Sequence, residues 1–314
     1  MFTSFDTVKF GAYLRSLRNS LNYSQADVKK IIGINTDTLR KIEAGLVVPR
    51  YDTLDLLSYV YKKDLLKELL AYRNSDLYFQ YYARLDDLIF NYDLDKLNNL
   101  EADFNKFIQF MDEPELVNIV VESQFKLVLQ GISEYYNGNA KKAKETFIKS
   151  LRIGTKDFEV INHRHYKYTF FETRILFLLG ISLSDNNESA LSDSMLMHCL
   201  DMANFDPQAT FSEKLMITKL YFNLAYNGHL VDDQEMAITY ADKGIQFCLE
   251  NHISYSLAGL LYRKGVAMMN LEDNNGKEHL QNSISLLRIC NQHDLADQYE
   301  KIAQELYNLN EHTN

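Results

Sequence analysis

Residues 23–45 read YSQADVKKIIGINTDTLRKIEAG, and few folds accommodate such a stretch. Ser24 can cap a helix, with Asp27 in the capping-box position three residues later. Gly33 breaks that helix, Asn35 and Thr36 open a second, Leu39 and Ile42 point it inward, and Gly45 ends it. Two short helices joined by a tight glycine-containing turn make a helix-turn-helix, the arrangement that lays its second helix in the major groove of DNA.

The flanking sequence completes a small bundle. A first helix over Val8–Leu21 carries Phe10, Leu14, Leu17 and Leu21 at helical spacing. Pro49 marks a loop, TLDLLSYVY makes a fourth helix, and LLKELLAY makes a fifth behind the cap candidate Asp64. Proline is confined to positions 49, 114 and 207 and glycine is scarce, so an all-α chain is expected throughout. The net charge of −10 is unevenly spread. Residues 1–73 hold 12 basic and 8 acidic side chains, and the remainder holds 21 and 35. A basic head on an acidic body suits a head that meets phosphates, although scattered surface charge gives the same tally.

Beyond residue 75, long amphipathic patterns alternate with short polar loops. Four loops resemble one another: YYNGNAKKA at 135–143, LSDNNESAL at 183–191, LVDDQEMAI at 230–238 and LEDNNGKEHL at 271–280. Cys199, Cys248 and Cys290 each sit near the end of a second helix, with Gly154 in the corresponding place of the first unit. These cysteines are read as small packing residues, because they are odd in number, widely spaced and lack a CxxC. Gly131, Gly180, Ala225 and Ala267 fall where a first helix must approach its neighbour closely. A final helix is expected over Leu295–Leu309. No apolar run is long enough for a membrane span, and MFTSFDTVKF lacks the layout of a signal peptide, so a reducing cytoplasm is the expected location.

Chemistry finds little purchase. His163 and His165 form the one histidine cluster, in NHRHY, and read as a polar loop rather than a metal site. Phosphate-binding, nucleophile-elbow and dinucleotide motifs are missing, so neither an enzyme nor a cofactor is expected.

Arg18, the Ser24-Gln25 pair, the Gly33-Ile34 turn, I-E-x-G at 42–45 and Pro49 make residues 10–70 similar to the XRE/Cro-type helix-turn-helix domain. That resemblance implies that Arg18 and Glu43 pair as a structural brace. It also places the positions of Thr36, Asp37 and Lys41 at base edges, and Gln25 at a phosphate or base. Asn35 and Thr38 border the same face. Asp37 can accept from cytosine N4 or complement the helix N-terminus. Arg15, Arg40 and Arg50 are candidate phosphate contacts, with a solvated charge the alternative for Arg40. One head makes few contacts, so a homodimer on a palindromic operator is expected.

The tail resembles a degenerate tetratricopeptide array, which implies a right-handed α-solenoid with a concave wall of first helices. The domains expected are 1–72, a five-helix DNA-binding head, and 73–314, a repeat domain for peptide binding and dimerisation. The aromatic stretch 78–92 would serve as linker and packing surface between them. Taken whole, the chain resembles the RNPP family of peptide-pheromone receptors (Rgg- and PlcR-like). Members of that family grip a peptide main chain with an Asn in a Y-N-x-A context, which Asn223 matches in F-N-L-A. Thr173 stands where a second gripping Asn would be. Arg174, Lys219 and Lys264 are candidates for a peptide carboxylate, and Phe170, Phe222, Tyr226 and Tyr262 for apolar pockets or plain core. The resemblance implies a cytoplasmic quorum-sensing transcription regulator with a short signalling peptide. A repeat domain that binds a protein partner, or a scaffold with a vestigial head, are the alternatives.

Overall fold

A computed structural model describes residues 5–70, 72, 81, 84–85, 94–109, 116–204, 211–254 and 256–307. Most of the 78–92 stretch, and residues 308–309 of the expected last helix, lie outside the described residues. Contacts separate the chain into two compact units, residues 1–115 and 116–314.

The first unit opens with α1 (Thr7–Ser20), α2 (Gln25–Ile32), α3 (Thr36–Glu43), α4 (Tyr51–Tyr61) and α5 (Leu65–Leu70). Local chemistry sets the ends. The Ser24 hydroxyl accepts from Asp27 N while the Asp27 carboxylate accepts from Ser24 N, a complete capping box. Gly33 takes φ 73°, which ends α2 without the penalty a side chain would bring. Asn35 Oδ1 accepts from Asp37 N and caps α3. Phe10, Leu14, Val28, Leu39, Ile42, Leu54, Leu57, Val60, Tyr61, Leu65 and Leu69 form one buried core. Leu21, expected on the apolar face of α1, is instead its C-cap and is exposed, because the helix stops one residue earlier. A Cβ on Gly11 would stand 2.5 Å from the Ile42 carbonyl oxygen, so α1 crosses α3 in backbone contact. Helix α6 (Leu94–Gln109) buries Leu97, Leu100 and Phe104.

Among the described residues, the second unit comprises four helix pairs, a 3₁₀ turn over Val160–His165 and a closing helix. The pairs are α7 (Leu116–Tyr136) with α8 (Ala140–Gly154), α9 (Phe170–Asp185) with α10 (Ser189–Asn204), α11 (Phe211–Leu230) with α12 (Gln234–Glu250), and α13 (Leu257–Asn270) with α14 (Gly276–Ile289). Helix α15 (His293–Tyr307) closes the array. Each helix packs chiefly on its chain neighbours. The turns after α7, α9, α11, α13 and α14 each carry one left-handed residue: Gly138, Asn187, Asp232, Glu272 and Asn291.

Gly131 and Gly180 lie where a Cβ would press on Phe147 and Leu196 of the second helix. In the later pairs, however, the tight approaches are Gly228 against Ala237 and Gly265 against Gly276. Ala225 and Ala267 are fully buried on the same two first helices. Cys199 and Cys248 are buried packing residues, whereas Cys290 caps the end of α14 and is exposed.

Two buried polar clusters tie pairs together. Gln124 Nε2 donates to the Ser150 carbonyl and to Glu172 Oε1, joining α7, α8 and α9. Asn227 accepts from Ser184 Oγ at 2.7 Å and donates to Ser192 Oγ at 2.9 Å and Asp193 Oδ1 at 2.7 Å, joining α9, α10 and α11. Burial raises the Asp193 carboxyl above its ordinary range, and the Asn227 amide partly offsets this.

Candidate functional site

In the head, Glu43 is the hub. It is 3% exposed, and accepts from Arg18 Nε at 2.6 Å, Arg18 Nη2 at 3.0 Å and Gln25 Nε2 at 2.8 Å. Arg18 Nη1 also reaches the Tyr23 carbonyl at 2.7 Å. The fork therefore ties the end of α3 to α1 and to the start of α2, with geometry a point charge could not supply. Gln25, expected at the DNA, gives a side-chain amide N–H to this brace and is half-buried. Arg15 is exposed at the edge of this hub, its Nε 3.7 Å from Glu43 Oε2.

Leu39 and Ile42 seat α3 in the core, so its opposite face is outward. Asp37, Thr38, Arg40 and Lys41 are exposed there and Thr36 is half-buried. Asn35 spends its side-chain oxygen on the cap. Asp37 pairs with both cations, Oδ1 with Arg40 Nη2 at 2.7 Å and Oδ2 with Lys41 Nζ at 2.9 Å. Lys41 and then Arg40 hold the Asp37 carboxyl below the usual range. Arg50 precedes α4 and is solvated, 3.6 Å from Asp52.

In the second unit, α9, α11 and α13 are first helices of successive pairs, and α11 packs on both of the others. One flank of α11 meets α9 through Asn227. The other meets α13, where the Arg263 guanidinium lies 5.1 Å from the Phe222 ring centre and 4.5 Å from that of Tyr226. A Cβ on Gly259 would stand 2.8 Å from the Phe222 ring, so glycine lets that ring lie against α13. Between the flanks runs a half-buried stripe, Lys219 and Asn223, one turn apart. Asn223 Nδ2 donates to the Lys219 carbonyl at 2.8 Å, which orients the carboxamide along the helix. On α9, the Arg174 guanidinium lies 5.3 Å from the Phe170 ring centre, both half-buried.

Three expected members of this wall lie elsewhere. Thr173 is on the buried face of α9, its hydroxyl donating to the Thr169 carbonyl and its own carbonyl accepting from Cys199 of α10. Tyr262 is core: its ring centre is 4.0 Å from that of Tyr299 and its hydroxyl donates to the Tyr299 carbonyl. Lys264 points back toward α12, 2.7 Å from Asp242. Arg263 takes the position on the wall that sequence reasoning gave to Lys264, because one residue is a 100° rotation about the helix axis.

His163 is buried on a 3₁₀ turn (Val160–His165), with Nδ1 2.9 Å from the Val160 carbonyl and Nε2 facing the Ser194 carbonyl. His165 is exposed. Among the described residues no group of three or more His, Cys, Asp or Glu side chains is placed to hold a metal. No described helix is long and apolar enough to cross a membrane.

A family model described as helix-turn-helix matches residues 14–67. The head is a helix-turn-helix domain. The full chain shares its fold with Bacillus thuringiensis PlcR solved with the peptide PapR7 and DNA, at TM-score 0.72 and 14% identity, over 93% of this chain and 99% of that one. It is also similar to the Streptococcus dysgalactiae SHP pheromone receptor Rgg2, at 0.60 and 13% over 94% and 99%. ComR of S. thermophilus, solved with DNA and its signalling peptide ComS, gives 0.59 and 13% over 95% and 100%. No curated protein sequence matches the chain. At these identities the likeness is one of fold: a helix-turn-helix head followed by tetratricopeptide-like pairs.

Proposed function

We propose that this chain is a cytoplasmic, non-enzymatic transcription regulator that reads a palindromic operator as a homodimer and is switched by a short signalling peptide. The head is assigned to residues 1–72, and the peptide-binding and dimerising domain to 73–314. One observation carries the reading: α3 is clamped from within by the Glu43 hub while its outer face presents Thr36, Asp37, Thr38, Arg40 and Lys41. Such a helix is preorganised to enter a major groove, with the exposed Arg15 and Arg50 as its candidate phosphate contacts.

The peptide is assigned to the wall of α9, α11 and α13. Asn223 would pair with a backbone amide, which offers a donor and an acceptor as the carboxamide does. Lys219, Arg174 and Arg263 would meet acidic groups, and Phe170, Phe222 and Tyr226 apolar side chains. That PlcR and ComR were solved with peptides and DNA supports this reading. The peptide shifts operator affinity only insofar as it binds one arrangement of the protein more tightly than another. Titration calorimetry with a library of five- to ten-residue peptides, paired with gel shift on the gene's own promoter, tests the assignment. Micromolar binding that Asn223→Ala abolishes is the expected result; binding by no peptide in the library would refute the switch.

A further inference from the structure

We infer that Asp37, together with Arg40 and Lys41, selects a G·C base pair. This rests on the proposal that α3 reads DNA. The carboxylate and the Lys41 ammonium stand 2.9 Å apart on an exposed face, with the Arg40 guanidinium on the other carboxylate oxygen at 2.7 Å. The face therefore presents an acceptor and a donor side by side. On the major-groove edge of G·C, cytosine N4–H is a donor, and guanine O6 and N7 are adjacent acceptors. N4 and O6 are themselves about 2.9 Å apart, the ordinary hydrogen-bond spacing. Asp37 matches N4 while Lys41 or Arg40 covers O6 and N7.

An A·T edge fits poorly. Its only donor, adenine N6–H, lies between two acceptors, N7 and thymine O4, so the carboxylate would face like partial charge on both sides. Any other placement leaves the carboxylate desolvated over an acceptor or beside the phosphates, and it loses its pairing whenever Arg40 and Lys41 turn to the DNA. Asp37 thus penalises wrong sequences more than it strengthens the right one, which is how a negative charge on a DNA-facing helix gives selectivity. The surrounding ion pairs are exposed and weak, so exchanging them for base edges costs little.

Selection from a random duplex library with the full-length protein, followed by fluorescence anisotropy on the enriched sites, tests this. Each half-site should carry one fixed G·C pair, and exchanging it for A·T should weaken binding about tenfold or more. Asp37→Asn should lose that preference, keep the rest of the motif and bind random duplex severalfold tighter. Asp37→Ser, which retains a residue suited to a helix start, should behave alike. Replacing the fixed cytosine by N4-methylcytosine should weaken the natural protein but not Asp37→Asn. A motif without a fixed G·C pair, or an Asp37→Asn protein with unchanged motif and affinity, overturns the inference. If the natural protein enriches no motif either alone or with a peptide found by the calorimetry, the DNA-reading proposal itself fails and the inference falls with it.

Discussion

Replacing Glu43 by Ala should loosen the head far more than its single carboxylate suggests. The side chain is buried and accepts three hydrogen bonds, two from Arg18 and one from Gln25. Removing it leaves the Arg18 guanidinium, in a residue 8% exposed, without its counter-charge. Breaking a buried pair from one side costs about 3–5 kcal/mol. Arg18 keeps the Tyr23 carbonyl at 2.7 Å and Asn19 Oδ1 at 3.0 Å, which places the cost near ~3 kcal/mol, the lower end of that range. The chain has no tryptophan, so amide hydrogen exchange read by mass spectrometry is the better assay. Protected amides of α1 and α3 should exchange roughly a hundredfold faster, while those of residues 116–307 stay unchanged. Glu43→Gln removes the same counter-charge and turns an amide N–H toward a donor, so it should lose about as much. The double variant Arg18→Met/Glu43→Leu removes both charges and should return to within about 1 kcal/mol of the natural protein. Exchange in Glu43→Ala within about threefold of natural, or a double variant as labile as the singles, would show that the pair does not brace the head.

Asn227→Ala strands Ser184 and Asp193 around a cavity, while Ser192 keeps its bond to the Gly180 carbonyl, and should cost about 2–4 kcal/mol in thermal unfolding of the repeat unit. Native protein should take up one equivalent of a maleimide, at Cys290, and three when denatured. Cys199 and Cys248 are buried, and burial pushes both thiols up, Cys248 to about 11. Stability should fall as pH drops below about 6.5, because burial, the leading cause in each case, lowers the folded-state pKa of His198, His229 and His279. The unfolded chain then binds protons that the folded chain refuses. Asp193, shifted upward, acts in the opposite sense at lower pH, and His198→Asn should flatten the upper part of the slope, as urea midpoints across pH would reveal.

The head was legible because its determinants are local. Ser24 with Asp27, Gly33 and Asn35 each act within three residues of their own position, so spacing alone places the helix ends. The tail was legible in its turns for the same reason, but not in which face each helix turns inward. Helix α9 is apolar on nearly all sides, burying Phe171, Ile175, Leu176, Phe177 and Leu179, so periodicity cannot separate Thr173 from Arg174. A neighbouring ambiguity on α13 exchanged Lys264 for Arg263. The Asn227 cluster was invisible because its partners lie 34 to 43 residues away. An Asn one turn from Asn223 looks the same in the sequence whether it faces a groove or a neighbouring helix.

The left-handed residues at Gly138, Asn187, Asp232, Glu272 and Asn291 place one sharp backbone reversal after each of five helices. Each is locked by a backbone hydrogen bond that reaches back into the last turn of the helix before it: Asn139 N to the Glu134 carbonyl, Glu188 N to Leu183, Asp233 N to Gly228, Asp273 N to Met268 and Gln292 N to Leu287. The angle at which one helix hands on to the next is therefore fixed within a single short turn, and the five turns act as rigid elbows rather than hinges. Any change of pitch in the array has to come from sliding at the faces where helices pack, not from bending at its corners.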